Sequence, residues 1–379
     1  MFETERGAQP RLGGEGDRGL TPEPPLRAGD SPDLGACWPA GEARWLLQIA
    51  CAPAPVARRA WQEWTASLGG RAPDLGSVRL LPLITRRLLE LGVSASSSGR
   101  LKGVYRHTWC NNQLRVRKTQ PALEALAQAG VRTLALKGLA LLASAYGADL
   151  GLRAMLDSDV LVRREDLALA AQTLVASGWR ARHAPTQAAL CQGHTPWGEH
   201  AFPLLRDGVE LDLHWHCSRL DPSPWLDDLA WQGAERLTLC GLQLEAPRAT
   251  EMLLLVCVHG VYWTRGRTLH WPSDAYRLVS SGAVDWERFV TVAAERLLTL
   301  PVYDALRFVA HVLSAPVPDA VLRRLAARTV SPPEQAEYRA LTQGIRARFF
   351  DRVRAAQLAA FRGQRRESLR QHFPGLEAS

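Results

Sequence analysis

The chain has 379 residues and a mass of 41.8 kDa, enough for substantial buried cores and two or three domains. A hydrophobic fraction of 46% beside a charged fraction of 22% is that of a soluble globular protein and argues against a fibrous or wholly disordered chain. The net charge of +8 and a pI near 9.4 suit anionic partners, nucleotides and nucleic acids among them, without choosing between these.

Residues 1–38 are rich in Gly, Pro, Glu and Arg and read as a disordered tail. Apolar residues then recur at helical spacing over Ala43–Trp64, interrupted by Pro53 and Pro55, and again over Leu80–Leu91. After the polar break Ser94–Ser98 come two further helix candidates, Leu101–Lys118 and Gln120–Ala129, the latter stopped by Gly130. Residues 39–129 therefore read as an N-terminal helical region. Beyond them the period shortens. Val131–Leu136 is a predicted buried strand, Leu139–Tyr146 a short helix, Leu156–Val162 a strand and Glu165–Ser177 a helix closed by Gly178. Glu199–Leu205 and Val209–Trp215 flank Arg206-Asp207-Gly208, a hairpin signal. Residues 130–245 thus form a predicted mixed domain of α+β class with a small sheet. After Pro247 the pattern is helical again, over Glu251–Tyr262, Asp274–Leu278, Trp286–Leu298, Val302–Leu313, Asp319–Ala327 and Pro332–Gln343. Residues 246–379 read as a C-terminal helical domain ending in the basic stretch Arg346–Phe373. Seven dispersed cysteines without a CxxC pair suggest a reduced, intracellular protein. With no secretion-signal pattern and no apolar run of membrane-spanning length, the expected location is the cytoplasm.

The chemistry concentrates mid-chain. In Leu156-Asp157-Ser158-Asp159-Val160-Leu161-Val162, two aspartates stand two residues apart in a strand-like run, so both carboxylates face one side. Carboxylates among apolar neighbours are costly unless paired, solvated or metal-bound. Glu210-Leu211-Asp212-Leu213-His214-Trp215 alternates likewise and puts Glu210, Asp212 and His214 on one face. Asp212 is the expected third carboxylate of a two-ion site with Asp157 and Asp159; a solvated sheet face is the plain alternative. His214 would orient a carboxylate or contact a phosphate. Lys137-Gly138 falls at the strand-to-helix turn, where glycine permits close backbone approach, the helix N-terminus offers unpaired N–H groups, and lysine meets phosphate as a point charge. Arg153 is a candidate clamp on phosphate or acceptor, with a surface ion pair as its alternative. His259, late in an apolar helix, is either a packing residue or a ligand contact. Tyr105, Trp109 and Asn112 share a helical face and read as core, with a base-stacking shelf as the alternative. The GxxxxGK[ST] loop is absent.

Together these stretches resemble an uncharacterised bacterial nucleotidyltransferase family of the polymerase-beta-like superfamily. The matching residues are Leu136-Lys137-Gly138, Tyr146, Arg153, Asp157 and Asp159, Asp212-Leu213-His214-Trp215, and His259-Gly260 with Trp271 and Asp274. The superfamily usually opens with Gly-Gly or Gly-Ser, and Lys137-Gly138 departs from that. The resemblance implies that Asp157, Asp159 and Asp212 bind Mg²⁺, with Mn²⁺ as a substitute, and that Lys137 and Gly138 meet the triphosphate of an NTP, ATP first among them. It implies transfer of NMP to a small-molecule or peptide acceptor, in natural-product or polysaccharide biosynthesis, with the flanking helices shaping the acceptor pocket. Arg153, His214 and His259 are the further nucleotide contacts expected. Kinase-like phosphoryl transfer, RNA modification, and a non-catalytic nucleotide-binding or scaffold role are the competing readings.

Overall fold

The computed structural model describes residues 26–69, 79–93, 98–195, 199–218, 224–263 and 269–343. The basic stretch Arg346–Phe373 and residues 1–25 lie outside the described residues.

The N-terminal region is helical. α1 (Glu42–Cys51) and α2 (Ala54–Leu68) form a hairpin split where Pro53 and Pro55 deny N–H donors to a continuous helix, and α3 (Leu81–Glu90) packs against α1. α4 (Ser98–Gln128) is one helix of 31 residues, where the sequence suggests two. Pro121 lies inside it and the helical pattern continues on both sides.

The sheet domain follows. β1 (Thr133–Ala135), α5 (Lys137–Ser144), β2 (Asp157–Val162), α6 (Leu167–Ala176), β3 (Arg180–Ala181), α7 (Ala184–Cys191), β4 (Ala201–Arg206) and β5 (Val209–His214) build a five-stranded sheet of order β1-β2-β5-β4-β3. All neighbours are antiparallel except β2 and β5, which run parallel. The β4–β5 turn has positive φ at Asp207 (50°) and Gly208 (74°), the pairing that matches strand twist in a two-residue hairpin. α4 backs the sheet, and its Thr119 hydroxyl bonds Ser158 at 2.9 Å on the face opposite Asp157 and Asp159. After α8 (Pro224–Gln232), a second hairpin, β6 (Glu235–Leu239) and β7 (Leu242–Ala246), lies against α5 and β1.

α9 (Ala249–Trp263) is the axis of the C-terminal region, contacting α10 (His270–Ser280), α11 (Trp286–Glu295), α12 (Thr299–Leu313) and α14 (Pro332–Gln343), with α13 (Asp319–Ala326) outside them. Gly260 has no room for a side chain: a Cβ there would lie 2.4 Å from Trp271, so α9 and α10 meet closely. Apolar residues of all three regions form one continuous core, including the fully buried Trp179, Phe289 and Phe308.

Two expectations need correction. Residues 26–38 are packed, unlike the disordered tail expected of that stretch: Ala28 is buried, Arg27 bridges to Thr329, and the Trp38 indole N–H donates to Asp304 Oδ1 at 3.0 Å. Asp304 is fully buried and gathers further donors from Gly35 N–H and the Tyr338 hydroxyl. This buried acceptor, together with Ala28 and Cys37 in the core and Leu26, Leu34 and Trp38 packed against it, holds the segment down. Trp109 is the other case. It is 44% exposed, while Tyr105 and Asn112 make polar contacts with the chain ahead of β2.

Candidate active site

The parallel pairing of β2 with β5 decides the geometry. Its register sets Asp157 opposite Glu210, Asp159 opposite Asp212, and Leu161 opposite His214. Two overlapping groups result, Asp159–Asp212–His214 and Asp157–Glu210–Asp212, each with donor atoms within 4.8 Å of one another. The expected third carboxylate therefore adjoins the Asp157/Asp159 pair. Glu210 also pairs with Arg182 at 3.3 Å.

Lys137 enters from the end of β1. Leu136 N–H donates to the Asp159 carbonyl at 3.0 Å, and Lys137 turns at φ 44°, a left-handed conformation uncommon for a long side chain. The turn brings Nζ to 2.6 Å from Asp159 Oδ1. His214 Nε2 stands 3.0 Å from the same oxygen, and its Nδ1 lies 3.2 Å from the His216 carbonyl. Asp159 is 1% exposed and His214 fully buried. Burial alone would raise the Asp159 carboxyl, but the Lys137 ammonium and the His214 contact outweigh it and hold Asp159 well below the usual carboxylate range. Burial lowers the His214 imidazole, and the lysine charge adds to that. Burial would also lower Lys137, yet Asp159 more than compensates and its ammonium is held on.

The other carboxylates go the opposite way. Burial and the neighbouring Asp159 charge push Asp157 up to about 6, and burial with the Asp159 and Asp157 charges pushes Asp212 up to about 7. Like charges crowded into a partly desolvated site resist full ionisation. Asp159 Oδ2 and Asp212 Oδ1 are buried without a hydrogen-bond partner. Oxygen donors left unsatisfied among several carboxylates suit a divalent cation, so the residues present fit a metal.

Gly138 is required by packing. A Cβ there would lie 2.8 Å from the Met155 side chain and 3.0 Å from Arg153 Nη1. Arg153 forms an ion pair, the alternative the sequence kept open for it, but a nearly buried one: its Nε and Nη2 donate to Asp274 Oδ1 and Oδ2 at 2.8 and 2.9 Å. The Tyr146 hydroxyl donates to the same carboxylate at 2.7 Å. His259 lies in the field of Lys137, Asp159 and His214, and burial lowers its imidazole to about 3.

Sequence reasoning missed Arg115 of α4 and read Asn112 as a core residue. Asn112 donates to the Leu150 and Arg153 carbonyls at 2.7 Å and accepts from Met155 N–H at 3.2 Å, fixing the approach to β2. Arg115 is half-buried, feels the charges of Asp157 and Glu210, and keeps its buried Nε without a partner. Tyr105, Asn112, Arg115 and Thr119 trace one face of α4. A polar stripe on an otherwise sheet-facing helix was the available signal.

Among the described residues no helix is long and apolar enough to cross a membrane. No curated protein and no solved structure matches the chain. Residues 77–314 match the family described as uncharacterised nucleotidyltransferase, a span that takes in the sheet, the carboxylate cluster and the helices that clamp it. The chain belongs to that family, within the polymerase-beta-like superfamily.

Proposed function

We propose that this protein moves a nucleoside monophosphate from an NTP, ATP in the first instance, to an acceptor hydroxyl, phosphate or carboxylate on a small molecule or peptide, acting in the cytoplasm. The acceptor oxygen bonds to the α-phosphorus, the bond from that phosphorus to the bridging oxygen of the β-phosphate breaks, and pyrophosphate leaves. The observation that carries this reading is the in-register set Asp157, Asp159 and Asp212 beside the Lys137–Gly138 turn. Bound divalent ions would supply charge neutralisation for the triphosphate and a lower pKa for the attacking hydroxyl. Asp157, Asp159 and Asp212 would hold those ions. Lys137, on a flexible stem 31% exposed, is placed to exchange Asp159 for a phosphate oxygen. Arg115 adds a positive charge that couples to Asp157 and Glu210. A place in natural-product or polysaccharide biosynthesis is the context that goes with this acceptor class.

Incubation with each α-³²P-labelled NTP, Mg²⁺ or Mn²⁺ and a host lysate tests the reading, beside an Asp157→Asn/Asp159→Asn control. Label that reaches a metabolite or peptide and disappears in the control supports it. Label that moves only from γ-³²P-ATP would replace it with kinase chemistry.

A further inference from the structure

The His214 ring faces two acceptors. Its Nδ1 lies 3.2 Å from the His216 carbonyl, which can only accept, and its Nε2 lies 3.0 Å from the Asp159 carboxylate. A neutral imidazole carries one N–H and satisfies only one of them. The carbonyl side is the better fixed. His216 Nδ1 pairs with Asp227 Oδ2 at 2.7 Å, and Cys217 N–H donates to Asp227 Oδ1 at 2.6 Å, so α8 pins the chain where it leaves β5. With Nε2–H the ring caps Asp159 and helps hold its carboxyl down; with Nδ1–H given to His216, the Nε2 lone pair is released toward the carboxylates and can bind a cation. A backbone carbonyl that sets the tautomer in this way is the usual support of a metal-binding histidine.

The cluster itself is consistent with this. Asp159 Oδ2 and Asp212 Oδ1 are buried and unpartnered beside His214. Two ligands bound cis at ~2.1 Å stand ~3 Å apart, the spacing of Nε2 and Oδ1. The Lys137 ammonium at 2.6 Å from Asp159 occupies a cation's place on a side chain able to swing away.

We propose that His214 Nε2 is a metal ligand alongside Asp159 and Asp212, that this nitrogen makes the position selective for Mn²⁺ over Mg²⁺, and that Lys137 leaves Asp159 as the ion enters. Mg²⁺ prefers an all-oxygen shell, whereas Mn²⁺ accepts imidazole. The inference rests on the proposed nucleotidyltransferase reading for the presence of a divalent ion, and goes beyond it in ligand and metal choice.

The test is Mn²⁺ titration of the full chain followed by electron paramagnetic resonance, with spin-echo detection of coupled nitrogen. Expected are a ¹⁴N coupling that changes to the ¹⁵N pattern in protein grown on ¹⁵N-histidine, and a Mn²⁺ preference over Mg²⁺ of at least ~10-fold. His214→Gln should lose both, while His259→Gln and His200→Gln keep them. If His214→Gln does not fold, retention in both other variants assigns the nitrogen. Bound Mn²⁺ without histidine coupling, or coupling that survives His214→Gln, overturns the inference and leaves the carboxylate site standing. Absence of Mn²⁺ binding, with and without nucleotide, overturns both.

Discussion

At Lys137 the backbone and the charge tell one story. A lysine at φ 44° is a conformation that costs about 1 kcal/mol or more, and it persists where surrounding contacts over-determine it. Here the contact is the ammonium on buried Asp159. Lys137→Met should therefore lower stability in chelator by roughly 2–3 kcal/mol, somewhat less than for a fully buried pair, by leaving Asp159 without its nearest cation. Divalent metal should restore part of the loss, and urea unfolding with and without Mn²⁺ measures it. His270 makes a second case. Burial, then the Arg153 charge, lowers its imidazole to about 3, against an ordinary value of 6.5. Between those values the unfolded chain binds a proton that the folded chain refuses, so stability rises with pH through the window and levels off above 6.5. Relative to His270→Gln, the native protein should lose about 2 kcal/mol between pH 7 and pH 5, a slope of up to ~1.4 kcal/mol per pH unit. Equal slopes in the two proteins would refute this.

The elements show how far the pattern of residues could lead. Val209–His214 was legible because most of the strand alternates buried with half-buried residues, and Asp157–Val162, buried on both faces after Asp157, was legible as an apolar run bearing two aspartates two residues apart. Even the turn at Asp207-Gly208 was legible from its residue types. The β6–β7 hairpin was not: its turn is Cys240-Gly241, with φ 53° and 85°, and cysteine is no turn signal. Pairing between β2 and β5 was only conditional, since strand order depends on contacts far apart in sequence. The partner of Arg153 was hidden for the same reason, because Asp274 sits 121 residues away on α10. That fork-to-fork pair, with Tyr146 on the same carboxylate, ties α10 to the connection between α5 and β2. Asp274→Asn should cost about 3 kcal/mol or more by leaving a buried guanidinium uncompensated. Hydrogen exchange should then speed up over 145–156 while the β4–β5 hairpin, residues 201–214, stays protected. Uniform loss of protection would mean the pair supports the whole fold instead.

Across the whole molecule, helical regions from both ends of the chain close around one small sheet. Trp38 shows the closure most directly: its ring lies 5.6 Å from Phe308, Arg307 stacks over it at 5.3 Å, and its N–H reaches Asp304. Trp38→Ala should destabilise the protein by about 3 kcal/mol, read as a lower urea midpoint at unchanged slope. A midpoint unmoved from the native protein would show that this segment contributes nothing to the fold. The parallel register of β2 and β5 carries a consequence of its own. A slip by one residue would turn Asp212 away from Asp159 and bring Leu211 or Leu213 in its stead. Neither strand holds the full set of carboxylates, so on the proposed reading a mispaired chain has no site to offer metal or nucleotide, and the fold acts as its own proofreader.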